Sequence, residues 1–309
     1  MKFVSYIYNK QESYGLLDGQ NIYDIKNTSV AKFPTTLLGF IEDSQALTTV
    51  KKVAVELMKN TIPLNSVKLL APVPCPPSMR DGYAFRQHVE TARRNRGLEM
   101  IPEFDQFPVF YFTNHQAVTG PGEVEVQKQH LEKLDFELEV AIVIGKKGKN
   151  ISVSEADDHI FGYTIMNDWS ARALQMEEMK LNLGPAKGKD FATSIGPFLV
   201  TRDELYKNNQ LKKSSKGDVL DAGMKAFLNG KQYSEGNVNQ MNWTFAQIIE
   251  RASYGVTLYP GDVIGSGTVG TGCGLELGRR LKHGDVVELE IERIGVLRNR
   301  VLTAGEAKP

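Results

Sequence analysis

The sequence predicts an α+β protein dominated by strands, with a small α/β module at its N-terminus, and three observations carry that prediction. Its apolar runs are short and bounded by turn residues, its helical patterns are few and brief, and a proline cluster divides the first seventy residues from the rest. At 309 residues the chain has material for one large domain, or for one large and one small, with a sizeable core in either case.

In chain order, alternation at 3–8 and the two short runs around Asp18-Gly19 predict strands joined by a tight turn. Leu47, Val50, Val53, Ala54 and Leu57 fall at helical spacing, so a helix is expected over 45–59 with Asp43-Ser44 as its cap. Four prolines in the six residues from Pro72 to Pro77 deny both helix and ladder hydrogen bonds. The domain boundary is placed there, giving 1–72 and 73–309. Downstream, 82–96 reads as helical or lid-like, 108–112 and 123–127 as strands, and 136–145 as the strongest strand of all. Ser152 to Glu155 matches a capping box opening a short helix, 161–166 resumes as strand, and helices are expected over 169–179 and 243–251. Asn229-Gly230 marks a hairpin, and 261–302 alternates glycine turns with Val and Ile runs.

Thirty-seven Lys and Arg balance thirty-seven Asp and Glu. No global basic field therefore draws nucleic acid or an anionic membrane, and the expected partner is a small molecule. No apolar run approaches the ~18 residues of a spanning helix, and the first residues lack the charged and apolar regions of a signal peptide, so a reducing cytoplasm is the expected compartment. Two cysteines, Cys75 and Cys273, exclude a disulfide scaffold and a cysteine-based zinc cluster.

The chemistry concentrates in acids. Strict alternation from Asp135 sends Asp135, Glu137 and Glu139 to one face, where neighbouring carboxylates roughly 7 Å apart repel by about 2 kcal/mol at an effective dielectric near 20. A solvated face with nearby lysines answers that repulsion. The unbroken apolar sequel from Val140 to Ile144 instead argues that Glu137 and Glu139 enter the interior, where carboxylates must be paired or bind a metal. Asp168, at the end of another apolar run, caps a helix or ligates an ion. Oxygen-only donors suit a hard cation such as Mg²⁺ or Ca²⁺. Asp81 and His88 stand seven apart, two turns along one face if that stretch is helical. Lys189 lies on a glycine-interrupted loop where a cation can meet an anionic ligand, or form a solvated turn. Gly265-Ser266-Gly267-Thr268-Val269-Gly270 fits a dinucleotide fingerprint, but Gly272, Gly274 and Gly278 break the helix such a site requires.

Taken together, these blocks resemble the fumarylacetoacetate hydrolase family. They are Asp81-Gly82-Tyr83 with Gln87-His88, the 135–139 acids, Met166-Asn167-Asp168-Trp169-Ser170-Ala171-Arg172, Gly188-Lys189-Asp190-Phe191, and Gly265-Ser266-Gly267-Thr268 with Leu275-Glu276-Leu277. The resemblance implies a mixed β-roll catalytic domain behind a small N-terminal domain, usually as a homodimer, with Mg²⁺ or Ca²⁺ bound and Mn²⁺ as a further candidate. It implies Asp81, Glu137, Glu139 and Asp168 as metal ligands, and His88 as general base with Glu276 orienting it. Arg172, Gln175 and Lys189 then receive developing negative charge, and Tyr83, Tyr111 and Thr268 contact substrate. The implied reaction is hydrolysis of a C–C bond in a β-diketo acid, fumarylacetoacetate or acylpyruvate: His88 activates water and the departing carbanion leaves as a metal-stabilised enolate. The alternative is a decarboxylase of oxaloacetate, or an isomerase or hydratase of 2-oxo acids, on the same metal site. A protein that binds a metabolite without turning it over is the third reading, and the base with its orienting carboxylate argues against it. Met179 stands near a position where eukaryotic fumarylacetoacetases carry a substrate-binding tyrosine, Gly82 replaces an aromatic, and Thr91 stands where smaller relatives complete a His-x-x-Glu lid dyad.

Overall fold

A computed structural model describes residues 1–59 and 61–307. Its main sheet has twelve strands. The path runs from Thr61–Pro63 through Asn21–Asp24, Gln11–Asp18, Lys2–Tyr8, Thr193–Thr201, Ile160–Asp168, Leu138–Ile144, Val263–Gly265 and Met79–Gly82 to Phe110–Phe112. The strand–Asp-Gly turn–strand unit forms as expected, with Asp18 opposite Asn21. Lys2–Tyr8 pairs antiparallel with Thr193–Thr201, so the sheet runs through both sides of the proline cluster at 72–77. A second sheet of five strands orders Lys231–Asn237, Gly223–Leu228, Val286–Ile291, Gly295–Thr303 and Gly122–Val126, the last pair parallel.

The strand Leu138–Ile144 lies at the centre, buried on both faces as its apolar run requires. Leu138, Val140, Ile142 and Ile144 pack toward the five-stranded sheet and the helix Phe245–Ser253, among Ala226, Leu289, Ile249 and Val301. Ala141 and Val143 face the other way, onto Phe3, Phe40, Leu37 and Val50 of the N-terminal segment and its two helices, Leu37–Glu42 and Ala46–Leu57. The first of these helices had no expected counterpart. Its cap is Thr36, whose Oγ1 accepts from the Gly39 N–H at 3.0 Å.

Several expectations shift. The helix read over 82–96 narrows to Arg86–Arg94, and Asp81 lies on the strand Met79–Gly82, so Asp81 and His88 do not share a helix face. The helix read over 169–179 starts at Arg172, and Asp168 ends a strand rather than capping it. Ser152 opens the short helix Val153–Ala156, but its hydroxyl donates to the Glu155 carboxylate at 2.8 Å instead of accepting from the backbone, so the reciprocal box does not form. The strong strand is also interrupted. Leu134–Asp135 pairs with Ser170–Ala171, Glu137 makes one bridge to Cys273, and the continuous ladder begins at Leu138. Among the described residues no helix is long and apolar enough to cross a membrane.

Candidate active site

A cavity of about 550 Å³ opens beside the start of the central strand. Asp81, Tyr83, His88, Tyr111, Glu137, Arg172, Gln175, Lys189 and Thr268 line it, while Glu139 and Asp168 are wholly buried. The four acids Asp81, Glu137, Glu139 and Asp168 each bring an oxygen within 4.8 Å of the others. They come from three strands of the main sheet, two adjacent and the third one strand further on, and from the break before the central one, so sheet register assembles what sequence distance separates. Making room for Asp81 falls to the glycine loop. A Cβ on Gly265 would lie 2.4 Å from Asp81 Oδ1, and Gly267, at φ +75°, donates its N–H to the same oxygen at 3.0 Å. The fingerprint-like loop thus serves a carboxylate.

Two cations enter this cluster. Lys189 donates to Glu137 Oε2 and to Asp168 Oδ2, both at 2.6 Å. Its loop is shaped by Glu178, whose carboxylate accepts from the N–H groups of Ala186 and Gly188. Arg172 reaches Glu137 Oε1 at 2.6 Å and, through Nε, Asp135 Oδ2 at 2.9 Å. Asp135 also accepts from the backbone of Gly274 and Leu275, so it is an anchor for Arg172 and for the chain leading to Glu276. Tyr111 donates its hydroxyl to Asp168, and Thr268 donates to the Leu138 carbonyl at 3.3 Å.

Five buried carboxylates, Asp81, Asp135, Glu137, Glu139 and Asp168, therefore face two buried cations, Arg172 and Lys189. Neither Glu139 oxygen has a hydrogen-bond partner, and Asp168 Oδ1 has none. Electrostatics reflect the surplus. Burial and the charge of Asp168 push the Asp81 carboxyl up to about 7, and burial with the charges of Asp81, Glu137 and Asp168 drives Glu139 well above the ordinary carboxylate range. At Glu137 burial opposes ionisation, yet Lys189 and Arg172 outweigh it and hold the group well below that range. All-oxygen, over-charged and with three oxygens left without a partner, the quartet fits a divalent cation.

In the cavity wall stands His88, in the first turn of Arg86–Arg94, with Nδ1 3.1 Å from Glu276 Oε2. Both side chains are more than nine-tenths buried. The rings of His88 and Tyr83 meet edge to face with centroids 5.6 Å apart. Thus all twelve residues singled out from the sequence gather at one place, although Arg172 and Lys189 are bound to carboxylates instead of standing free. Sequence reasoning passed over Asn95 and Arg96, which line the cavity from the helix end and the turn after it. Their helical spacing from His88 and Ala92 was the available signal. It also gave no role to Asp135 or Met176.

The fold built around this sheet is that of a known enzyme class. The chain belongs to the fumarylacetoacetate hydrolase family: the family profile for the fumarylacetoacetate (FAA) hydrolase C-terminal domain matches residues 78–302. Among its relatives, the oxaloacetate tautomerase YisK of Bacillus subtilis (strain 168) is 31% identical over 323 residues, covering 97% of this chain and 100% of that protein. The human mitochondrial oxaloacetate tautomerase FAHD2A is 32% identical over 271 residues, covering 87% of this chain and 80% of its own. A fumarylacetoacetate hydrolase from psychrophilic Exiguobacterium antarcticum has a solved structure that superposes with a TM-score of 0.74 at 26% identity, covering 98% of this chain and 99% of that one.

Proposed function

We propose that this chain is a divalent-metal-dependent oxaloacetate tautomerase, interconverting the keto and enol forms of a small 2-oxo diacid. The observation that carries this reading is the end-to-end correspondence with the Bacillus tautomerase, over 97% of this chain and 100% of the relative. It moves the leading reading from C–C hydrolysis to the isomerase alternative. In this proposal Asp81, Glu137, Glu139 and Asp168 hold Mg²⁺, Ca²⁺ or Mn²⁺, and the cation supplies Lewis-acid polarisation of the 2-oxo group. Lys189 and Arg172 keep Glu137 ionised and fix the carboxylates in place. His88 removes the proton from C3 as the C2–C3 double bond forms, and a proton is delivered to the C2 oxygen; the reverse sequence regenerates the ketone. Glu276 stabilises the imidazolium that this creates. Tyr83, Tyr111, Gln175 and Thr268 line the chamber and orient the substrate. The homodimer suggested by the family resemblance is part of the same proposal.

C–C hydrolysis is the second reading, favoured by the superposition on the Exiguobacterium hydrolase and by a base that can equally activate water. One assay separates the two. Enol absorbance and product NMR are followed for oxaloacetate and for an acylpyruvate, with Mg²⁺ and with EDTA. The expected result is accelerated Mg²⁺-dependent keto–enol exchange with oxaloacetate conserved; cleavage of the acylpyruvate into two acids without such exchange would reverse the order. His88→Ala should lower exchange by about 10²- to 10⁴-fold while Mg²⁺ affinity, read by calorimetry, stays unchanged. Full activity in that variant removes His88 from the role.

A further inference from the structure

We infer that His88, Cys273 and Glu276 form a second, softer metal site that takes Zn²⁺ and, when filled, silences the cavity. Cys273 is fully buried, immediately ahead of the short helix Gly274–Leu277 that carries Glu276. One ligand atom from each of the three residues lies within 4.8 Å of the others. Glu276 Oε2 is 3.1 Å from His88 Nδ1 and 3.4 Å from Cys273 Sγ, close to the spacing of two donors on one tetrahedral zinc with bonds of about 2.0–2.3 Å.

A second observation points to a ligand. His88 Nδ1, though close to Glu276, is not aligned to hydrogen-bond with it, and both that nitrogen and Glu276 Oε1 are buried polar atoms without a hydrogen-bond partner. Their side chains are only 9% and 1% exposed. Buried donors and acceptors left open at one spot are uncommon and mark a place for an ion or a water. The chemistry selects the ion. The quartet beyond Tyr83 offers oxygen alone, whereas this trio offers nitrogen, sulfur and oxygen, the set that zinc prefers to magnesium or calcium. A single thiol cannot build a cysteine-rich zinc cluster, but with an imidazole and a carboxylate it completes three protein ligands. Binding is not a redox step: Zn²⁺ displaces the thiol proton to solvent, the sulfur lone pair forms the new bond, and the carboxylate keeps its charge. Occupation engages Nδ1 and takes Glu276 from the imidazole. Inhibition by zinc rests on the proposed role of His88; the site itself does not.

Cobalt reads the site directly, because a thiolate on Co²⁺ gives a near-ultraviolet charge-transfer band. Cys75 is exposed and is the only other cysteine, so the Cys75→Ser protein leaves Cys273 as the sole source of such a band. In saturating Mg²⁺, Co²⁺ should give the band with Cys75→Ser and none after the further change Cys273→Ser. Zn²⁺ inhibition of Mg²⁺-loaded enzyme should weaken by about tenfold or more with Cys273→Ser. No band in Cys75→Ser overturns the site, and this readout stands even if Cys273→Ser does not fold. Equal zinc inhibition with and without Cys273 overturns it as well, placing zinc in the acid quartet. A band accompanied by undiminished turnover supports the site and refutes the reading of His88 as base.

Discussion

Around Arg202 a guanidinium is met by acids and a phenol until almost nothing is left over. Its Nε donates to Asp218 at 2.7 Å and Nη1 to Asp158 at 2.8 Å, Tyr206 donates to the other Asp218 oxygen, and the Asp218 N–H donates to Asp157 at 2.8 Å. Only Asp157 Oδ1 lacks a partner there. In the acid quartet carboxylates outnumber cations as well, but there three oxygens on Glu139 and Asp168 meet no donor. Both clusters are ion networks, one wholly buried and the other partly solvated, and both perturb the ionisation of their members. What distinguishes a site from a structural network is the remainder after every hydrogen bond has been assigned, not the presence of buried charge.

That contrast can be broken at either end. Glu139→Gln should reduce Mg²⁺ affinity about a hundredfold or more, and it should raise the melting temperature of the metal-free protein, since a buried repulsion disappears. Calorimetry and thermal melts in EDTA check both, and unchanged affinity would strike Glu139 from the ligand set. Arg202→Ala, by contrast, should cost about 2 kcal/mol of stability, discounted from a fully buried pair because the cluster is partly solvated. Urea melts should show that loss while Mg²⁺ affinity stays as it was. The smallest effect is expected at Asp157. Burial and the charge of Asp218 push its carboxyl up to about 6, above the unfolded value of about 3.9. The folded chain therefore holds the proton more tightly, and stability falls as pH rises from about 4 to 6. Asp157→Asn should flatten that slope and gain about 1 kcal/mol at pH 7 after allowance for solvent screening, measured by melts across the range. A slope of unchanged size would assign it to other groups.

Much of the site was legible because residue type carries the signal. Acids at the head of an apolar run are marked by the run itself, and Val140 to Ile144 is an unambiguous interior sequence, which places Glu139 inside correctly. Partnership was less legible. The seven-residue interval between Asp81 and His88 suggests a shared helix face, yet a strand ends and a helix begins between them, and periodicity says nothing about where that switch falls. The resemblance has Arg172 and Lys189 meet substrate charge; which carboxylate satisfies these buried cations depends on Glu137, 35 and 52 residues away in the chain. Cys273 enters a sequence reading only through the exclusion of a disulfide scaffold and of a cysteine-based zinc cluster. Its contact with Glu276 is local, from the residue before the short helix Gly274–Leu277 to the third residue within it, whereas its bridge to Glu137 has no local pattern. The helix Leu37–Glu42 escaped for the opposite reason, since six residues give too little period to read.

The pairing of Lys2–Tyr8 with Thr193–Thr201 has a consequence for the birth of the molecule. On the ribosome the first strand emerges with half of its hydrogen-bonding edge unanswered, because its neighbour lies roughly 200 residues downstream. At synthesis rates of about 5–20 residues per second the wait is about 10–40 s. During that interval Lys2–Tyr8 can shelter only against the hairpin strand Gln11–Asp18 and the short strand Lys68–Leu69. With Asn21–Asp24 and Thr61–Pro63 continuing the sheet beyond Gln11–Asp18, the early segment is thus a provisional five-stranded raft whose open edge must be protected from other nascent chains until the middle of the protein arrives to claim it.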